Sequence, residues 1–255
     1  WKAPDDWYKR AIKEKNEWDA YVEKQSGPTN QEEPSYAHAV GAVYRNSDPS
    51  DIVVTAAGGL VGEVVQVWKP KQLNTFETEW GFSCMGYEIS GALGIKMAKP
   101  DQEVVVFVGD GSYLLNNTDI YSSVIYDQKL IIIVCDNGGH MVINRLQLAK
   151  GGKEYICNLR AARATNLKFV DFENHAKSMG ANAETVSSTS ELEAAYKRAK
   201  DSDKTYVITI KTHGYEWLEG TAFWESPTLQ DPITDNNKNA LEDFDSGKSK
   251  QRKGV

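Results

Sequence analysis

The chain has 255 residues and a formal net charge of −7, with 40% hydrophobic and 25% charged residues. That length can bury a sizeable core, either as one domain or as a domain with appendages. The acidic balance excludes a nucleic-acid surface, which needs a basic patch to neutralise phosphates. No apolar run approaches membrane-spanning length, Trp1 opens no signal peptide, and Cys84, Cys135 and Cys157 form no CxxC pair. The expectation is a reduced, cytoplasmic protein bound to neither membrane nor nucleic acid.

Behind Pro4, Asp5 and Asp6, the residues Trp7, Ala11, Trp18 and Val22 recur at helical spacing. They predict a heavily charged helix, ending near Lys24, packed on the outside of a core. Residues 27–34 are a polar linker, and residues 34–46 read as a second helix with Tyr36, Val40 and Val43 on one side. A buried strand over 51–55 runs into Ala56, Ala57, Gly58 and Gly59, and a short strand covers 75–78. A helix over 86–98 is stopped by Pro100. A strand over 104–108, a helix near 119–126 and a strand over 130–135 follow. The strand–helix pattern continues through 171–179, 183–186, 190–199 and 206–211. The tail from 225 is rich in Asp, Asn, Pro and Lys and reads as irregular, with one short helix at 239–244. Strands alternating with helices predict the α/β class, a doubly wound, mainly parallel sheet with helices on both faces. The expected boundaries are 1–33 for the first helix and linker, 34–224 for a single domain and 225–255 for the tail.

The richest stretch runs from Val104 to Gly139. Two short apolar runs, dense in Val and Ile, read as strands buried on both faces, and each ends in an acid or amide beside glycine. Asp110 and Asn137 are spaced by about one strand–helix–strand unit, which places both at the carboxyl ends of neighbouring parallel strands, where open α/β sheets bind ligands. A hard divalent cation takes oxygen ligands of this kind, with phosphate and water filling the rest of a Mg²⁺ shell. Gly109 and Gly111 offer a tight turn and close backbone approach to an anion, at the start of a helix whose free N–H groups face it. These residues predict a site for a magnesium diphosphate.

Gly109-Asp110-Gly111, a stretch ending in Asn116-Asn117, and Asn137 after the next strand resemble the signature of thiamine-diphosphate (ThDP) enzymes in order and length. Phe82-Ser83-Cys84-Met85-Gly86-Tyr87-Glu88-Ile89, Ser112-Tyr113, Asp119 to Ser123, Cys135 to Gly139 and Val142 to Gln147 resemble one branch more closely, the trihydroxycyclohexane-dione hydrolases of inositol catabolism. The likeness runs from about Trp7 to the tail, weakens after Phe223, and covers only the C-terminal part of such an enzyme. It implies ThDP and Mg²⁺ as cofactors, with the Asp110 carboxylate, the Asn137 carboxamide and the Gly139 carbonyl holding the metal. Gly111 and Ser112 would hydrogen-bond the diphosphate. Ala57, Gly58 and Gly59, by themselves a simple strand–helix turn or a ligand-admitting one, would face the diphosphate and pyrimidine. Ser83 and Met85 would hydrogen-bond the pyrimidine from their backbones, with Cys84 between them. The residues alone favour Met85 as a core methionine; the resemblance makes it a wedge that bends the cofactor.

Further consequences are drawn from the same resemblance. The activity would be opening of a cyclic 1,2-dione by carbon–carbon hydrolysis, giving a deoxyglucuronate. The glutamate that activates the cofactor would come from a pyrimidine-binding domain absent from these residues, in the same polypeptide or a neighbouring subunit. No catalytic residue is therefore assigned in this chain; a homodimer or larger assembly is expected, and the chain alone should be inactive. Members carry an aromatic or other bulky residue where this chain has His140, next to the metal loop, a departure that bears on substrate specificity. Asn116 and Asn117 read as loop-locking residues. Glu63 and Glu79 read as exposed carboxylates or as acids near substrate, His38 and His175 as ordinary helix residues, and His213 as a strand-end histidine with no partner. Cys84 lacks a positioned histidine and is rejected as a nucleophile. Rival readings are a ThDP decarboxylase or acetolactate-synthase relative, and a non-catalytic magnesium-diphosphate module. A Rossmann dehydrogenase is set aside, because no G-x-G-x-x-G follows the first strand.

Overall fold

Runs of valine and isoleucine form the middle of one six-stranded sheet, and their alternation decides which helices cover which face. The computed structural model describes residues 1–162, 166, 168–220 and 228–251. In chain order the helices and strands are α1 Asp5–Gln25, α2 Tyr36–Arg45, β1 Ile52–Thr55, α3 Gly58–Val67, β2 Phe76–Thr78, α4 Tyr87–Ala98, β3 Val104–Gly109, α5 Asp110–Leu115, α6 Thr118–Ile125, β4 Ile131–Asp136, α7 Met141–Ala149, α8 Phe172–Ser178, β5 Asn182–Val186, α9 Thr189–Asp201, β6 Tyr206–Lys211 and α10 Asp235–Ser249. All pairings in the sheet are parallel, in the order β2-β1-β3-β4-β6-β5.

Along β3 and β4, Val105, Phe107, Ile131, Ile133 and Cys135 join one buried cluster with residues of α2, α3 and α9. Val104, Val106, Val108, Ile132 and Val134 join the other, with Ile89 of α4, Tyr113 of α5, Ile120 of α6 and Phe172 of α8. Successive strand residues point to opposite faces, so a continuous apolar run is what a strand covered on both sides needs. The expected doubly wound sheet is the fold.

Two compact units divide the chain: residues 1–137 with 170–218, and residues 138–169 with 219–255. The first holds the sheet. Val22 near the end of α1 lies in its core cluster, so this helix belongs to the first unit, while the rest of α1 carries ion pairs such as Arg10–Glu14 on its surface. The second unit holds α7 and α10, a 3-10 turn at Leu159–Ala161 and an isolated bridge between Gly139 and Asn158. The sequence suggested a single domain over 34–224; its end at 224 and the start of the tail at 225 lie outside the described residues, as does Phe223, where the resemblance weakens.

Two elements exceed the sequence expectation. Helix α3 was read only as a glycine turn, yet Leu60, Val64 and Val67 bury one side of it, and burial overrides the weak helix propensity of its valines and glycines. The short helix expected at 239–244 in an otherwise irregular tail is part of α10, which is fifteen residues long. Its Thr234 side chain accepts from the Asn237 N–H, Asp235 and Lys248 complement the helix dipole at the two ends, and Ala240 is buried. Within the same unit the Lys150 ammonium stands 5.3 Å from the centre of the Phe244 ring.

Candidate functional site

The strand order reverses between β1 and β3, because β2 pairs on the outer side of β1 and the chain then returns to add β3 on the other. Ligands of open α/β sheets bind at such a point, beyond the carboxyl ends of the strands. Ala57 follows β1, Gly109 ends β3 with Asp110 starting α5, and Asn137 follows β4. Gly109 pairs with Cys135, so Asp110 and Asn137 leave adjacent strands at nearly the same level.

Both side chains are buried, Asp110 at 6% exposure and Asn137 at 5%. The Asn137 Nδ2 donates to the Tyr36 hydroxyl at 2.6 Å, while its Oδ1 is buried with no hydrogen-bond partner. A buried acceptor left open in this way is costly unless something else fills it. An oxygen held by its own amide and turned away from every donor fits a cation. Among the described residues no three His, Cys, Asp or Glu side chains cluster as a metal site. The expected set has a single carboxylate, so a Mg²⁺ there would draw most of its shell from a carboxamide, backbone, phosphate and water.

The Phe82–Gly86 turn is organised by two acids. Glu79 accepts from the Phe82 N–H at 2.8 Å and the Cys84 N–H at 2.7 Å, and these bonds, Cys84 first, hold its carboxyl below the ordinary value. Ser83 takes φ 53°, and its hydroxyl donates to the Ala56 carbonyl at 3.4 Å. Met85 is 37% exposed and stands outside both core clusters, so it is not a core methionine. Cys84 is exposed; partial desolvation, followed by the Glu79 charge, raises its thiol, which makes it a poor nucleophile. Glu63 is buried rather than exposed, and its Oε1 accepts from the Leu218 N–H at 3.0 Å.

The second acid, Glu88, was not singled out in the sequence. It is 1% exposed, accepting from the Ala57 N–H at 3.2 Å through Oε1 and from the Gly86 N–H at 2.8 Å through Oε2. Burial raises its carboxyl above the ordinary value, and these bonds, with the nearby Ser112 side chain, work against that rise. A lone carboxylate in an otherwise apolar helix was the signal available. Tyr36, read as one side of an apolar helix, is the other residue missed.

Gly109 has φ −77° and ψ 157°, and Gly111 lies inside α5, so neither adopts the left-handed backbone expected of a glycine turn. Gly58 does, at φ 76°, and Gly59 is the second residue of α3. Asn117 locks the loop as expected, its Nδ2 donating to the Tyr113 carbonyl at 3.1 Å, while Asn116 Nδ2 donates instead to the Ser90 side chain, Oγ at 2.6 Å. In the second unit, Gly139 has φ 141°, and a Cβ there would stand 2.4 Å from the Cys157 carbonyl oxygen. His140 caps α7 and is exposed. His38 pairs with Ser35 in a capping box, and His175 Nδ1 meets the Tyr113 hydroxyl at 2.9 Å. His213 is not partnerless, since its Nδ1 accepts from the Tyr215 N–H at 3.2 Å.

The family model for thiamine pyrophosphate enzymes, C-terminal TPP-binding domain, matches residues 56–210, more than half of the chain. The chain belongs to this family. Its match begins at the β1 turn and ends in β6, so it takes in Asp110, Asn137 and both acids of the Met85 turn. This TPP-binding domain is 36% identical over 241 residues to a Lacticaseibacillus casei protein named 3D-(3,5/4)-trihydroxycyclohexane-1,2-dione hydrolase, covering 91% of this chain and 36% of that protein. It is 39% identical over 175 residues to a Halalkalibacterium halodurans protein of the same name, covering 66% of this chain and 27% of that one. The domain therefore spans about a third of the length of the curated relatives it matches. Its fold is shared with a Rhodococcus jostii thiamine diphosphate-dependent 4-hydroxybenzoylformate decarboxylase, at TM-score 0.61 and 18% identity, over 72% of this chain and 34% of that one. No helix among the described residues is long and apolar enough to cross a membrane.

Proposed function

We propose that this domain is the cofactor-diphosphate-binding part of a ThDP- and Mg²⁺-dependent enzyme that opens the ring of a cyclic 1,2-dione by carbon–carbon hydrolysis. The substrate class is that of trihydroxycyclohexane-dione, and the product a 5-deoxyglucuronate of inositol catabolism. The observation that carries the site is the buried Asp110 and Asn137 pair, with Asn137 Oδ1 held open by Tyr36. The names of the relatives support the substrate class.

Bound ThDP supplies the carbon nucleophile and electron sink that cleavage beside a ketone requires. The protein's own work is positional. Asp110 and Asn137 would hold the metal, and the first turn of α5 would offer the Gly111 and Ser112 N–H groups to the diphosphate. Met85, exposed on a turn fixed by Glu79, would press on the cofactor rings. The glutamate that activates the cofactor belongs to a pyrimidine-binding domain, in the same polypeptide or a neighbouring subunit of a homodimer or larger assembly.

The test is turnover by the full-length polypeptide: ring opening of the cyclic dione with Mg²⁺ and ThDP, and no reaction with pyruvate. Pyruvate decarboxylation without ring opening would instead identify a decarboxylase or acetolactate-synthase relative. The 255-residue chain alone should show no ring opening. Activity from it unaided overturns the dependence on another domain.

A further inference from the structure

A buried acid in α4 has a geometry that exceeds its packing role. Around Glu88 the helix buries Ile89, Ala92 and Leu93, and an apolar residue would serve such a position at no desolvation cost. The carboxylate is retained with both oxygens in use, one on the turn after β1 and one on the turn before α4. Those two backbone amides lie 31 and 2 residues from it in sequence. Gly86 is held at its carbonyl as well, since Asn116 Nδ2 donates to the Gly86 carbonyl at 3.4 Å.

We propose that Glu88 is a positioning residue, whose carboxylate fixes the spacing between the Ala57 turn and the Met85–Gly86 turn, and so sets the shape of the cofactor cleft. The proposal rests on the reading of this cleft as a ThDP site. A carboxylate is the only side-chain group of this length that accepts at both ends. The carboxamide of Glu88→Gln accepts at one oxygen and turns an NH₂ donor toward the other N–H, so one turn is released. Aspartate is one methylene shorter and cannot span both amides.

In the full-length polypeptide, Glu88→Gln should bind Mg²⁺–ThDP about tenfold more weakly or worse by calorimetry, since a charge-assisted bond is lost and a donor left unpaired. Its kcat at saturating ThDP should stay close to that of the parent, while its ligand-free melting temperature falls by what one unpaired buried donor costs. A variant Kd equal to the parent's overturns the proposal, as does a loss of melting temperature without a change in Kd. A second measurement needs no variant: amide exchange at Ala57 and Gly86 in the ligand-free parent should be slow, and fast exchange at both overturns it too. If the parent itself fails to bind Mg²⁺–ThDP, the reading of the cleft has failed instead. Binding by the parent with no effect of Glu88→Gln leaves that reading standing and removes only the role of Glu88.

Discussion

Tyr36 in the first turn of α2 and Asn137 at the end of β4 meet in a buried 2.6 Å hydrogen bond, with the carboxamide donating to the phenol oxygen. Burial, then the neighbouring Cys135 and Asp110, pushes the Tyr36 phenol well above its ordinary value, so it stays neutral. The bond decides which way the carboxamide faces. Tyr36→Phe removes the acceptor, leaving a buried N–H unpaired at a cost of about 1–3 kcal/mol. Loss of such a ligand-orienting partner typically lowers metal affinity by about 10–100-fold. Calorimetric titration of the variant with Mg²⁺ and ThDP should show that loss; unchanged affinity would mean that Tyr36 only packs.

Asp110→Ala should abolish Mg²⁺-dependent ThDP binding while far-UV circular dichroism stays that of the parent. Chelation of Mg²⁺ from the parent should weaken ThDP binding in the same way, because a Mg²⁺ held by the carboxylate would draw the rest of its shell from phosphate and water. ThDP affinity that survives both treatments removes Asp110 from the metal site.

A core methionine cut to alanine costs about 2–5 kcal/mol. Met85, at 37% exposure, should cost less than that. In the full-length polypeptide Met85→Ala should keep its ThDP affinity within about an order of magnitude and lose most of kcat, as proximity of the reacting atoms is lost. Early melting with normal turnover of the folded fraction contradicts the wedge.

Gly86 combines a left-handed backbone, φ 96°, with a neighbour that leaves no room for a side chain. An alanine Cβ would stand 2.5 Å from the Asn116 Cβ. Gly86→Ala should therefore destabilise by about 1–3 kcal/mol from backbone strain, with crowding against Asn116 added to it. Urea unfolding measures the loss, and a midpoint equal to that of the parent refutes the clash.

Glu79 gives a pH dependence with a definite sign. Bonds from the Cys84 and Phe82 N–H groups depress its carboxyl below the ordinary glutamate value. A depressed carboxylate contributes stability that is present above its unfolded value and lost as pH falls through its folded value. Amide resonances of Phe82 and Cys84 should hence titrate with a midpoint below the ordinary glutamate range, and Glu79→Gln should erase that step. A midpoint at or above that range contradicts the clamp.

Much of this protein is legible in one dimension. Continuous Val and Ile runs ending in acid or amide marked β3 and β4, because a strand covered on both faces has no polar positions to alternate. The spacing of Asp110 and Asn137 put both at strand ends, and the pattern around them led to the ThDP family. Asn117 was read as a loop lock for the right reason, since a short amide side chain bonds to nearby backbone, whereas Asn116 locks its loop to Ser90 and Gly86, 26 and 30 residues away. What only the tertiary structure decided are the long-range pairings. The sheet order, with β6 between β4 and β5, is fixed by long-range pairing rather than by any local pattern. The bond from Asn137 to Tyr36 joins residues 101 positions apart, and that from Ala57 to Glu88 joins residues 31 apart. Periodicity reports which face of an element is buried, not which neighbour buries it. A tyrosine on an apolar helix face and a glutamate in an apolar helix therefore acquire their roles only when the sheet brings the strand ends together.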